Sequence, residues 1–320
     1  MSHPANVIEI DHLVRRYGST EAVNDMNLRV RRGTCYGFFG RNGAGKTTTI
    51  KCLLNLLRPS AGQVRVFGLD PHRDEVAVKA RLAYVPDQVA FYPWMTVRDT
   101  LAYIASFRTR WNPSLEGQLI ARFGLDPDQR AVTMSKGQKT QLALIGAVCC
   151  EPDLLLLDEP TSGLDPIVRR EFIRTVIGAY QESAPGERTI FVSTHLISEF
   201  EGLIDEFTIV DHGRAVYSSS ADEARARHVR IRARFPGEAP MIDVGTARNL
   251  RRSGRELDLV VTGAVEPVLD RIRKSGAESV ETEALSLEEI FVATLKTNTS
   301  TNANADADVR EEETSHVATN

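Results

Sequence analysis

Apolar and polar residues alternate near the amino terminus of the chain. Met26, Leu28 and Val30 would lie on one face of a strand, with polar side chains between them on the other. A period of two is typical of a strand with one buried face. The pattern predicts a half-buried antiparallel sheet over residues 7–34.

Three later segments are rich in apolar residues and are interpreted as buried strands: residues 34–39 (TCYGFF), 154–157 (LLLL) and 189–192 (TIFV). The run at 154–157 is continuously apolar, which is typical of a strand covered on both faces. The three segments predict the inner strands of an α/β core.

Helical spacing is predicted over residues 48–57, 70–83 and 96–124. The third segment carries an apolar stripe, whose members are Leu101, Ile104, Ala105 and Phe107. A further apolar helix follows the sequence TMSKGQ, and Pro166 starts a predicted helix that runs to Tyr180. Together these predict a helical subdomain over about residues 88–150.

A loop follows the short predicted strand at residues 82–85. Pro86 and Pro93 mark it as irregular, and it carries four large apolar residues, Phe91, Tyr92, Trp94 and Met95. Four large apolar residues are too many for an exposed linker, so the loop either packs inward or receives a partner. We favour a docked partner.

The character of the chain changes after a hairpin predicted within residues 207–217. Val229, Ile231 and Ala233 alternate with arginines, and Ser286 with Glu289 forms a capping box before an amphipathic helix. Residues 220–296 are therefore expected to form a small α+β domain, distinct from a domain over 1–219. The arginine face is interpreted as solvated, with lipid headgroups or a partner as alternatives. Residues 297–320 have almost nothing to bury and are expected to be disordered.

Composition narrows the class of protein. The chain has 320 residues, 42% hydrophobic and 26% charged, and a formal net charge of −4, which argues against a nucleic-acid partner. The longest apolar run, Leu142 to Cys150, is about half the length of a membrane-spanning helix, and Met1 to Asp11 lacks a signal-peptide core. A cytoplasmic protein is expected. Its four cysteines lie in apolar stretches without metal-type spacing and are expected to be reduced core thiols.

The strongest chemical motif is GRNGAGKTT, which fits the phosphate-loop pattern between a predicted strand and a predicted helix. Its backbone N–H groups and the start of the helix would cradle a polyphosphate. Lys46 would reach the terminal phosphates and Thr47 would ligate Mg²⁺. The candidate nucleotide-binding residues are Gly40, Arg41, Asn42, Gly43, Ala44, Gly45, Lys46, Thr47 and Thr48.

Two carboxylates end the second apolar run. Asp158 and Glu159 suit a Mg²⁺ ligand and a base that activates water, respectively. His195 follows the third run, so it should lie at the same edge and reach the terminal phosphate. We predict Glu159 and His195 as the catalytic residues.

Weaker signals come from two other places. Ser135, Lys136 and Gly137 begin an apolar helix and offer a second candidate phosphate site, although any N-capped helix looks similar. Tyr17 precedes a turn, where it could stack on a nucleotide base or pack its ring locally.

Taken in order, GRNGAGKTT, MSKGQ, LLLLDEP, SGLD and STHL resemble the ATP-binding subunit of an ABC transporter over residues 7–217. The resemblance implies a P-loop NTPase core with an antiparallel β subdomain and a helical subdomain. The SLEEIF ending at residues 286–291 and the single nucleotide domain are similar to bacterial ABC-2 type export systems.

The resemblance also implies roles and partners. Tyr17 would stack on adenine, and Ser135, Gly137 and Gln138 would bind the ATP of a second copy in a homodimer. Ser162 to Asp165 would lie across that interface. A separate membrane permease would dock near Phe91–Met95, holding the chain on the inner face of the cell membrane. No nucleic-acid partner is expected.

Two departures from the family pattern stand out. Lys136 replaces the commonest glycine in the motif MSKGQ. Asp87 stands where a metal-contacting glutamine is usual, with Gln88 one place later, so either residue is a candidate for Mg²⁺.

Three rival functions remain open at this point. A soluble ABC-type ATPase acting on ribosomes would usually carry two nucleotide domains or long coiled coils. A GTPase or small kinase would share only the phosphate loop, and the chain has no Asn-Lys-x-Asp guanine motif. A binding module without turnover would not need the pair Asp158–Glu159.

Overall fold

The structure is a computed structural model that describes residues 5–162, 164–165, 169, 173, 187–242 and 248–295. Contacts divide the chain into two compact units, residues 1–218 and 219–320. The predicted tail at 297–320 and nearly all of the helix predicted at 166–180 lie outside the described residues.

The first unit contains a three-stranded antiparallel sheet. Its strands are β1 (Asn6–Tyr17), β2 (Thr20–Arg31) and β4 (Ala61–Val66), in the order β2-β1-β4. The alternation in β2 places Met26, Leu28 and Val30 inward, as the pattern predicted. The third strand was not predicted, because its only buried residues are Val64 and Val66.

A six-stranded sheet forms the centre of the same unit. It consists of β3 (Cys35–Gly40), β5 (Leu82–Val85), β6 (Leu154–Asp158), β7 (Thr189–Thr194), β8 (Glu206–Asp211) and β9 (Arg214–Ser220). The order of the strands is β5-β6-β7-β3-β8-β9. The first five strands of this order, from β5 to β8 and including β3, pair in parallel with their neighbours. Every residue of β3, β6 and β7 is buried, as expected for strands covered on both faces. Their carboxyl ends therefore meet at one edge.

Helix α1 (Lys46–Leu53) packs between the two sheets, and α2 (Glu75–Lys79) is a short helix before β5. Ile50 and Leu53 of α1 join a core with Ile8, Met26 and Phe191. Of the helix predicted over 70–83, only the five residues of α2 are helical, so this helix is much shorter than expected. A four-residue helix, α6 (Ile197–Phe200), follows β7.

A helical layer lies between β5 and β6 in the chain. It contains α3 (Val97–Ala105), α4 (Pro113–Phe123) and α5 (Lys136–Cys149), around a core that includes Leu101, Leu119 and Ile145. The segment predicted to be helical over 96–124 forms two helices rather than one, because Asn112 caps a second helix with Pro113 at its first position. Phe107 was placed on the buried stripe but is 71% exposed.

The second unit is an α+β fold. An antiparallel sheet in the order β11-β12-β10-β13 comprises β10 (His228–Arg234), β11 (Arg248–Ser253), β12 (Glu256–Thr262) and β13 (Ser279–Ala284). Its helices are α7 (Ala221–Arg227), α8 (Glu266–Lys274) and α9 over 287–295. The predicted cap of α9 is present, since Glu289 N donates to Ser286 Oγ and Ser286 N to Glu289 Oε2.

Two of the three arginines of β10 are paired with acids of neighbouring elements. Arg230 contacts Asp258 and Glu289, and Arg232 contacts Glu283. These ion pairs agree with a solvated, internally balanced face.

All four cysteines are buried and free, as predicted. Burial raises the pKa of the Cys52 thiol to about 11 and of the Cys149 thiol to about 12. These thiols are protonated core residues at neutral pH.

Candidate active site

The phosphate loop connects the end of β3 to the start of α1. Gly43 and Gly45 have φ of 82° and 98°, the left-handed region that favours glycine. A Cβ on Gly45 would lie 2.4 Å from the Ala22 carbonyl oxygen, so position 45 requires glycine for space as well as for conformation. The predicted strand, loop and helix order is present.

Lys46 folds back along this loop. Its Nζ donates to the carbonyl oxygens of Gly40 at 2.8 Å and Arg41 at 3.3 Å, and it is 3.0 Å from Glu159 Oε1. The lysine side chain is 5% exposed and the glutamate 11%. Within the described residues Glu159 Oε1 accepts no aligned hydrogen bond, so this contact is an ion pair.

Asp158 is buried at the end of β6 and receives two hydroxyl groups. Thr47 Oγ1 donates to its Oδ2 at 2.8 Å, and Ser193 Oγ donates to its Oδ1 at 2.9 Å. Burial raises the pKa of the Asp158 carboxyl, and these two hydrogen bonds oppose the rise. The carboxylate is thus costly to bury alone and favours a cation beside it.

Hydroxyl and carboxylate oxygens are the donors that Mg²⁺ prefers. Magnesium usually takes only one or two protein ligands and fills its shell with water and phosphate oxygens. Thr47 and Asp158 meet that requirement. Within the described residues no cluster of three or more His, Cys, Asp or Glu side chains could hold a metal ion.

Glu159 is held in a fixed position between two partners. Its backbone φ is 48°, in the left-handed region, and its Oε2 accepts from Thr194 Oγ1 at 3.1 Å. The same oxygen lies 2.9 Å from His195 Nδ1. The predicted catalytic pair is therefore in direct contact, with His195 40% exposed.

The helix start at Ser135 is a complete capping box. Ser135 Oγ accepts from Gln138 N at 3.2 Å, and Gln138 Oε1 accepts from Ser135 N at 2.9 Å. Gly137 lies close to Leu164, because a Cβ there would be 3.1 Å from Leu164 Cδ2. In the described part of the chain, no hydrogen bond joins Ser135, Gly137 or Gln138 to the phosphate loop of the same copy.

The remaining predicted residues lie at the periphery. Tyr17 is 45% exposed at the end of β1, with the Arg15 guanidinium 4.8 Å from its ring centre. Asp87 is half-buried and pairs with Lys136, whereas Gln88 is exposed. Thr48 is half-buried, and Arg41 and Asn42 are exposed at the loop tip.

Three polar residues at the site were missed from the sequence: Ser193, Thr194 and Tyr84. Burial raises the pKa of Tyr84, and the nearby carboxylates of Asp158 and Asp87 raise it further. Ser193 lies opposite Asp158 in the parallel pairing of β6 with β7. The positions of Ser193 and Thr194 beside the two carboxylates could have been predicted only if the pairing of β6 with β7 had been known.

This fold and site define a P-loop nucleotide hydrolase. The family model described as ABC transporter matches residues 23–162. The bacitracin transport ATP-binding protein BcrA of Bacillus licheniformis is 33% identical over 226 residues, covering 70% of this chain and 73% of that protein. The daunorubicin resistance ATP-binding protein DrrA3 of Streptomyces coeruleorubidus is 32% identical over 305 residues, covering 89% and 94%.

Solved structures agree. One described as the ATP-binding subunit of an ABC transporter has a TM-score of 0.62 and 27% identity, covering 69% of this chain and 92% of that one. The chain belongs to the ABC transporter family. It is an ATP-binding and ATP-hydrolysing subunit of an export-type transporter, with ATP as its nucleotide.

None of the helices in the described residues has the length and hydrophobicity of a membrane-spanning segment.

Proposed function

We propose that two copies of this chain close on two ATP molecules and so power export through a separate membrane subunit. One observation carries the proposal. Lys46, Asp158 and Glu159 are assembled at one sheet edge, and within the described residues of one copy Ser135, Gly137 and Gln138 form no hydrogen bond to any of these three residues. A second copy would bring such a helix start to the phosphates.

Each residue of the sheet edge would have a distinct task. Lys46 and the N–H groups of residues 40–48 would bind the phosphates, and Thr47 with Asp158 would hold Mg²⁺. The ion would neutralise charge on the phosphate oxygens. Glu159 would accept a proton from the attacking water, and His195 would hold the Glu159 carboxylate and contact the terminal phosphate.

The second copy would complete each site. Ser135 would contribute a hydroxyl and Gly137 a backbone N–H group at the positive end of the α5 dipole, and Gln138, whose N–H donates to Ser135 Oγ, would hold that hydroxyl in place beside the phosphates. Ser162 and Asp165 would lie at the interface between copies. Tyr17 of the first copy would stack on the adenine of the ATP that this copy holds.

An exposed run of aromatic side chains supports a docking surface for the membrane partner. Tyr92 stacks on Trp94 and meets Tyr103 edge-on, and Tyr103 in turn meets Phe107, with ring centroids 5.0–5.8 Å apart. We call these four residues the aromatic strip; Trp94 is 66% and Phe107 71% exposed. Phe91 instead packs inward against the helical core. The loop that contains Phe91–Met95 thus both packs inward and leaves aromatic surface for a partner.

The strip continues into an apolar groove of about 620 Å³. The groove is lined by side chains that include Phe107, Tyr84, Leu56 and Val76, of which Val76 is 84% exposed. Exposed apolar surface of this extent suits a partner helix with one apolar face. We infer that a permease segment docks here, so that the chain works at the inner face of the cell membrane. The name of the bacitracin relative, which describes bacitracin transport, supports transport of a compound through the permease.

The test is the order of the ATPase reaction. If two copies complete each site, activity per copy rises with protein concentration until the dimer saturates. Activity per copy that is constant over a hundredfold dilution would contradict the proposal.

A further inference from the structure

The two residues that depart from the family pattern lie against each other. Lys136 Nζ is 3.7 Å from Asp87 Oδ1, although one begins α5 and the other follows β5. The unusual cation and the unusual anion are therefore complementary.

The contact is of the kind that exchanges easily. A separation of 3.7 Å is longer than a hydrogen bond, and the side chains of Lys136 and Asp87 are 51% and 39% exposed. The ammonium also donates to Ser162 Oγ at 3.5 Å, the upper limit for a hydrogen bond. Exposed pairs of this geometry are weak and are replaced readily by a stronger counter-ion.

Asp87 nevertheless has a reason to retain a cation. Its Oδ1 is buried and accepts no hydrogen bond within the described part of the chain. A buried carboxylate oxygen without a donor is unfavourable, so Asp87 attracts the only ammonium that the structure places beside it in the described residues.

Lys136 lies at the amino-terminal end of α5, where a positive charge is unfavourable unless an anion lies nearby. The first turn of α5 contains Lys136 and Lys139 and no acidic residue. The positive end of the helix dipole disfavours both lysines, and an anion at this end relieves the repulsion. A polyphosphate supplies far more negative charge than one carboxylate.

We propose that Lys136 is a phosphate ligand for the nucleotide held by the second copy, and that Asp87 competes with that nucleotide for it. The inference rests on the proposed function, in which the start of α5 faces that nucleotide. Closure of the two copies exchanges the Asp87 carboxylate for phosphate oxygens. Lys136 therefore favours the closed dimer and Asp87 opposes it, which is a relationship that a purely structural ion pair does not produce.

The experiment measures the ATP concentration at which half of the protein is dimeric, by size-exclusion chromatography with light scattering. All variants are made in the Glu159→Gln background, so that hydrolysis does not consume the ATP. Lys136→Gln is expected to raise the midpoint about tenfold or more, as for one lost charge-assisted hydrogen bond. Asp87→Asn is expected to lower it about two- to fivefold, as for one lost exposed ion pair.

Three further variants sharpen the result. The double variant Asp87→Asn with Lys136→Gln is expected to match Lys136→Gln alone, since Asp87 then has no lysine to restrain. Lys136→Arg keeps the charge and is expected to stay within about threefold of the background. Lys139→Gln removes the same charge from the same turn and is the matched control, with a shift below about threefold.

The outcomes separate the two proposals. A midpoint that is unchanged or lowered by Lys136→Gln overturns the inference, as does one that is unchanged or raised by Asp87→Asn. In both cases a background protein that dimerises with ATP leaves the proposed function standing. Failure of the Glu159→Gln background itself to dimerise overturns both.

Discussion

Lys46 and Glu159 form a buried ion pair, with 3.0 Å between Nζ and Oε1. The other carboxylate oxygen of Glu159 lies 2.9 Å from His195 Nδ1. Under the proposed function, phosphates that bind Lys46 would compete with Glu159 for the ammonium. Once displaced, Glu159 would keep its contact with His195 and have an oxygen free for water. A single displacement would then connect nucleotide binding to the preparation of the proposed base.

Replacing Lys46 with alanine should weaken ATP binding by at least about tenfold, because it removes a charge-assisted contact to the phosphates. Isothermal titration calorimetry measures the change. Lys51→Ala is the matched control, since Lys51 is exposed in the last turn of the same helix and should leave affinity unchanged. Equal affinity in Lys46→Ala and the unsubstituted protein would contradict the assignment of the phosphate loop.

Ser135→Ala should reduce both stability and ATPase activity, whereas Thr96→Ala should reduce stability alone. Each residue caps a helix through a capping box, so each loss costs about 1 kcal/mol in the free energy of unfolding. Only Ser135 is proposed to reach ATP. Urea unfolding and phosphate release measure the two effects. Equal ATPase activity in the two variants would remove Ser135 from the site.

The sequence predicted the core better than its periphery. Segments rich in apolar residues identified β3, β6 and β7, because strands covered on both faces admit little else. Since these strands lie side by side and parallel, Lys46, Asp158, Glu159 and His195 were also brought together as expected. The motif residues could be placed together because they follow the strands with the strongest apolar pattern in the chain.

Weakly patterned elements were missed for a physical reason. In β4 the residues Ala61, Gly62 and Gln63 are exposed, and β13 buries almost nothing, so neither has an apolar period. The break between α3 and α4 depends on the Asn112 cap and Pro113 rather than on periodicity. The contact between Asp87 and Lys136 required the tertiary structure, because 49 positions separate them in the chain.

Asp158→Asn should stabilise the protein near neutral pH when no nucleotide is added. Burial raises the pKa of Asp158 in the folded state, so the charged form is penalised there. The penalty is absent below the unfolded-state pKa of about 3.9, grows as pH rises, and is complete above the folded-state pKa. Urea unfolding of both proteins from pH 3.5 to 8 should show the stability difference growing with pH. A difference that shrinks with rising pH would contradict the electrostatic description.

Trp94→Ala and Phe107→Ala should each reduce co-purification of a membrane protein from detergent extract by about tenfold or more, as for a central aromatic contact. Met241→Ala, at an exposed apolar residue of the second unit, is the control. Full retention in both strip variants would remove the aromatic strip as the docking surface. Recovery of ribosomes without any membrane protein would favour the soluble alternative.

The pairing of two copies around ATP is tested most directly with Glu159→Gln. The substitution should slow phosphate release by about 10²–10⁴, because it removes the proposed base. It also removes the anion that competes for Lys46, so ATP binding should persist. Size-exclusion chromatography with light scattering should then show a dimer in ATP and a monomer in ADP. A Glu159→Gln protein that binds ATP and remains monomeric would contradict the central claim.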